Sequence, residues 1–236
     1  MEREVVEEPT LDDYDDRVGS NVEDRSLPKR ISCEVKTLLS GRELLTHPYY
    51  QKWEAGELTT KDLAAYGAQY LHFERQLPLT LEKIVRVMEP GPCRDGVKAN
   101  LDDEVGNPTP HVELLQSFLD AVGSASTPPG PATHNLTSLY DHAPGVGIGY
   151  ALGVVAAYEV QSAAIATSKA EGLRMWYGLN DHETTFWDLH STLEEDHAAW
   201  LLKAASSSPA VEFFDGIVAS RDAWWDFLSE REASLV

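Results

Sequence analysis

The chain has 236 residues, 42% of them hydrophobic, and a formal net charge of −20. That length supports one sizeable core and demands no second domain, and the acidity disfavours nucleic acid and anionic membrane surfaces, which repel a negative protein. A small-molecule substrate is therefore expected. Two cysteines, Cys33 and Cys93, are too few for a disulfide framework or a thiolate site, so ligand chemistry must rest on histidine and carboxylate. A reducing cytoplasm fits that usage.

Residues 1–25 carry ten acidic and three basic side chains and little apolar material, which predicts a disordered tail over 1–30 and a single helical domain over 31–236. No basic-then-apolar segment marks a secretory signal. Thr60 reads as the cap of a helix over Lys61–Gln76, with Pro78, Pro90, Pro92 and Pro108 marking breaks. Thr109 followed by Pro110 reads as another helix start. Gly123–Thr133, rich in Ser, Pro and Gly, reads as a surface connection. A helix over Gly147–Glu171 is mostly small and apolar, so its neighbours should approach closely. Its apolar run, Val146–Tyr158, stops at Glu159, well short of a membrane span. The next helix is expected over Asn180–Ala205. A last one, over Pro209–Glu230, turns Phe213, Phe214, Ile217, Trp224, Trp225 and Leu228 to the core. With no period-two alternation, the class is all-α.

His190, Glu194 and His197 lie at i, i+4 and i+7 of a helix, within an arc of roughly 60° at 100° per residue. They can share one cavity. Glu159 sits in the apolar helix, where a carboxylate persists only if protonated, salt-bridged or bound to a cation. Glu104 and His111 are separated by Gly106, Pro108 and Pro110, so they flank a break. On spacing alone Glu104, beside Asp102 and Asp103, reads better as a solvated helix end. Taken together, three histidines and three carboxylates suit iron, manganese or zinc, and the count fits two metals better than one. His47, His72, His134, His142 and His182 have no comparable partners, and Glu195 and Asp196 read as solvated.

The order Glu104-x6-His111, Glu159, His190-x3-Glu194-x2-His197 resembles the haem-oxygenase-like di-metal oxidases and oxygenases, which bind two metals and no haem. Within them the chain is most similar to the Chlamydia protein associating with death domains and its bacterial relatives. The added signals are His47-Pro48-Tyr49-Tyr50 ahead of Trp53-x2-Gly56-Glu57-Leu58, the pair Tyr158-Glu159, and Lys169. The resemblance spans about residues 40–205 and implies one bundle of about seven to eight helices. It implies six ligands, Glu104, His111, Glu159, His190, Glu194 and His197, holding two iron ions or iron with manganese. Dioxygen and an external reductant are the implied co-substrates. The implied reaction makes para-aminobenzoate for folate synthesis from the enzyme's own tyrosine, with a lysine giving the nitrogen. The matching residues are Tyr50 and Lys169, with Tyr158 as a radical relay. The alternative is a di-iron oxygenase acting on an external amino acid, amine or fatty acid. A cytoplasmic homodimer is implied in either case. Without the resemblance, Lys169 reads equally as a solvated lysine and Tyr50 as an aromatic packed on the core.

Overall fold

A computed structural model of the chain describes residues 30–106, 109–205 and 210–235, without the side chains of 193–196. The expected acidic tail over 1–30 lies almost wholly outside the described residues. Within them the chain is all helical, with nine α-helices and no strand. In order these are α1 (residues 30–39), α2 (Pro48–Ala55), α3 (Thr60–Val87), α4 (Pro92–Glu104), α5 (His111–Ala121), α6 (Pro131–Val146), α7 (Ile148–Tyr177), α8 (Asp181–Ala205) and α9 (Ala210–Glu232). That count is close to the seven or eight helices that the resemblance implies, with the short α1 and α2 included.

Helix ends follow local chemistry. The cap of α3 is Thr59 rather than Thr60: its hydroxyl accepts from the Asp62 amide while the Asp62 carboxylate accepts from the Thr59 amide, a reciprocal capping box. Pro78 does not break α3. It lies inside the helix, where its missing N–H leaves the carbonyl of Glu74, four residues earlier, without its helical donor. Helix α5 starts at His111 with Pro110 as its cap and no side-chain cap bond, so Thr109 does not play the part expected of it. Helix α7 runs six residues past Glu171 and stops at Gly178, whose φ of 71° is open to glycine at little cost.

Helix α7 is the centre of the bundle, packed between α8 and α9 and buried along most of its length. It is long and apolar enough to cross a membrane by composition, yet 67% of its most apolar window is buried against the rest of the chain. Small residues set its spacing from α9. A Cβ on Gly153 would stand 2.0 Å from the Phe213 carbonyl oxygen, and one on Gly216 would stand 2.2 Å from that of Tyr150. Those obstacles are backbone and cannot rotate away. Gly153→Ala is therefore expected to destabilise the protein by about 1–3 kcal/mol or more, as overpacking does. A denaturant melt with an unchanged midpoint would contradict the close crossing. On α9, Phe213, Ile217, Trp224 and Leu228 are buried as expected, whereas Phe214 and Trp225 are only partly so, and Phe227 joins the core instead.

Candidate metal centre

Four donor groups from four elements converge inside the bundle. Glu74 on α3, Glu104 at the end of α4, His111 at the start of α5 and His190 on α8 each place one ligand atom within 4.8 Å of the others. All four residues are buried. The break after α4 makes this possible, because it turns the chain so that Glu104 Oε2 and His111 Nδ1 share a hydrogen bond of 3.0 Å. Glu104 is thus no solvated helix end. Its imidazole neighbours stack edge to face, His111 and His190 having ring centroids 4.6 Å apart. His190 Nδ1 donates to the Phe186 carbonyl at 2.7 Å, which makes Nε2 the acceptor nitrogen of the neutral ring.

One step along α7 and α8 lies a second group. His197 Nδ1 is 3.9 Å from Glu159 Oε2, and its Nε2 shares a 3.1 Å hydrogen bond with Asp103 Oδ2. An outer carboxylate that orients a histidine while the other ring nitrogen faces inward is a usual arrangement at metal sites. Glu194 follows His190 on the same face of α8, but its side chain lies outside the described residues, as do those of Glu195 and Asp196. Of the six ligands expected, the structure gathers Glu104, His111 and His190 in one half and Glu159 with His197 in the other. Sequence reasoning missed Glu74 and Asp103. Glu74 could have been found from register, since it follows Tyr66 and Tyr70 and precedes Leu77 and Leu81 on the buried face of α3.

The electrostatics suit a cation. Burial pushes the Glu104 carboxyl up to about 8, with Glu159 adding to the rise and His197 opposing it. Glu74 is raised well above the usual carboxylate range, first by burial and then by Glu104. Burial lowers His111 and holds His190 well below the ordinary histidine value, so both imidazoles are neutral donors. Glu74 Oε1 and Glu104 Oε1 are buried without a hydrogen-bond partner. Orphaned carboxylate oxygens beside neutral imidazoles are costly in an empty cavity and well matched to divalent transition ions.

Beside this centre is an aromatic chamber holding Lys169, which is 2% exposed. Its Nζ donates to Tyr66 Oη at 2.6 Å, and Tyr66 Oη lies 2.9 Å from Tyr50 Oη. Tyr66 thus accepts from the amine and shares a second hydrogen bond with Tyr50. The amine stands 4.7 Å from the Tyr50 ring centroid and 4.1 Å from that of Trp187. Burial pulls Lys169 well below the ordinary lysine value, against an opposing pull from Glu74. Lys169 is ten residues beyond Glu159, about 15 Å along a helix. The α7–α8 hairpin removes the difficulty, because with the turn at residues 178–180 Lys169 is level with His190, not with Glu159. Tyr158 joins from the other side: its hydroxyl is 3.2 Å from that of Tyr70, whose ring stacks on Tyr66 at 5.5 Å.

Residues 64–225 match the family described as iron-containing redox enzymes. The chain is 29% identical over 216 residues to the 4-aminobenzoate synthase of Nitrosomonas europaea, covering 83% of this chain and 88% of the relative. It is 25% identical over 172 residues to the 4-aminobenzoate synthase of Chlamydia muridarum, covering 70% and 73%. A solved domain of unknown function with a haem-oxygenase-like fold, from Shewanella denitrificans, superposes with a TM-score of 0.67 at 16% identity, covering 91% of this chain and 94% of that one. The family match spans more than half of the sequence and takes in all six gathered donors, on either side of the break after α4, so the chain belongs to the iron-containing redox enzymes with the haem-oxygenase-like fold.

Proposed function

We propose that the chain is an oxygen-dependent oxidase that makes 4-aminobenzoate, the para isomer, from its own Tyr50 with Lys169 as nitrogen donor. The observation that carries this reading is the placement of a buried, desolvated amine 4.7 Å from the Tyr50 ring, one hydrogen-bonded phenol away from it and level with His190. The names of the Nitrosomonas and Chlamydia relatives support the same product. Glu104, His111, Glu159, His190, Glu194 and His197 would hold two iron ions, or iron with manganese, and no haem. Bound there, the metals would supply oxidising equivalents drawn from dioxygen, with electrons coming from an external reductant.

The chain's own residues do the rest. Tyr158 is next in sequence to Glu159 and its hydroxyl meets Tyr70, so Tyr158, Tyr70 and Tyr66 offer phenols in sequence between the metals and Tyr50. Trp53 and Trp187 pack edge to face around the chamber and exclude water, which keeps the amine neutral and nucleophilic. The low cysteine content and the net charge of −20 suit a cytoplasmic enzyme, acting as a homodimer on small molecules and dioxygen, away from membranes and nucleic acid. The test is purified protein given Fe(II), a reductant and oxygen with no added substrate. Release of 4-aminobenzoate with a matching mass loss at Tyr50 is the expected result, and an intact chain sinks the proposal.

A second reading, an external amino acid, amine or fatty acid as substrate, is favoured by one feature. A cleft of about 510 Å³ between α1, α7 and α8, walled by Val35, Leu39, Val160, Ala163 and Leu202, reaches Glu159. Turnover of an added compound with Tyr50 left intact would select it.

A further inference from the structure

Resting on the two-metal reading, we propose that Glu74 is a seventh protein donor, that it completes the His111/His190 half of the centre, and that this half therefore loads first. Glu74 is the carboxylate that the ligand pattern in the sequence leaves out. Its side chain is 2% exposed, its Oε1 has no hydrogen-bond partner, and its ligand atom lies within 4.8 Å of those of Glu104, His111 and His190. Two carboxylates and two imidazoles at that separation form a four-donor site for a divalent transition ion without any contribution from Glu159, Glu194 or His197. The other half, among the described side chains, brings Glu159 and His197 together at 3.9 Å and depends on Glu194 and on bridging by Glu104 for more.

Charge points the same way. Two divalent ions bring four positive charges into a buried cavity, and the histidines are neutral donors. Glu104, Glu159 and Glu194 cancel three of those charges, and Glu74 cancels the fourth. A buried site left with net positive charge beside Lys169 would be costly, so a fourth carboxylate is what the cavity needs. Glu74 also stands between the two working parts of the protein, because its charge is the one that acts on the Lys169 amine. Ligation fixes that carboxylate at the metal and gives the four-donor half a defined orientation toward the chamber.

The experiment titrates the metal-free full-length chain with Co(II) under anaerobic conditions, reading d–d absorption and the ions retained per chain after desalting. Wild type is expected to fill in two stages, the first tighter. Glu74→Gln should weaken the first stage at least tenfold and alter its spectrum while leaving the second. Glu74→Leu, which removes every oxygen donor and a buried polar group together, should do the same, with a melting temperature at least as high as that of metal-free wild type. A first stage of wild-type affinity and spectrum in the folded Glu74→Leu protein overturns the ligand role. Two equal stages in wild type overturn the loading order. No Co(II) bound by wild type overturns the two-metal reading itself and this inference with it, a result distinct from the other two.

Discussion

Lys169→Met is expected to abolish 4-aminobenzoate formation to background while leaving the metal-free protein folded and more stable than wild type. The two effects have one cause. Methionine follows the path of the lysine stem through the cage of Tyr50, Tyr66, Tyr70 and Trp187, but brings no amine to desolvate. Removing that burden should stabilise by about 1–3 kcal/mol at neutral pH. The pH dependence gives the sign. The lysine in the fold titrates below its ordinary value, so from there up to about pH 10.5 the unfolded chain binds a proton that the fold does not. Wild-type stability therefore rises with pH across that window, and the advantage of Lys169→Met shrinks as pH 10.5 is approached. Thermal melts at pH 7 and pH 10, with product assayed on the loaded proteins, read both effects. Lys169→Arg should fare worse, because a guanidinium keeps its charge when buried. Product from Lys169→Met, or a variant unfolded at pH 7, would show that the amine serves structure.

Much of the centre was legible because imidazoles and carboxylates stand out against apolar neighbours. Glu159 interrupts an apolar helix, and His190 and His197 share one helical face. What failed to show depended on where helices end. Taking Pro78 as a break stopped α3 at Gln76 and removed Leu77 and Leu81, the residues whose register places Glu74 inward. With Arg75 and Gln76 directly after it, Glu74 has no local sequence feature that separates it from a solvated carboxylate. Ending α7 at Glu171 likewise put Lys169 near a helix end, where a lysine reads as solvated, whereas six further helical residues, to Tyr177, hold it in the interior. Asp103 has a different reason. Its partner His197 is 94 residues away, and no local pattern distinguishes it from the exposed Asp102 beside it. The aromatic chamber draws on α2, α3, α7 and α8, so each tyrosine read alone as ordinary core.

Glu104→Gln should reduce the metal content from two ions per chain to at most one and should also flatten the pH dependence of loading. Glu104 is the carboxylate placed to serve both halves: Oε2 meets His111, Oε1 has no hydrogen-bond partner, and Glu159 and His197 of the second half act on its charge. Its folded value of about 8 stands above an unfolded value of 4.5. Stability linked to this proton is fully present below pH 4.5 and is lost as pH rises through 8, so the metal-free protein should weaken across that window. An ion must displace the same proton to bind at pH 7. Affinity should therefore rise by about tenfold per pH unit for each proton displaced, with Glu74, raised by the same burial, supplying a second. A glutamine has no proton to release in this range. Equilibrium dialysis against Fe(II) or Co(II) at pH 6, 7 and 8 should give a slope smaller by about one proton in the variant than in wild type. Two ions per chain with an unchanged slope would remove Glu104 from the centre and return it to the role of a buried helix end paired with His111.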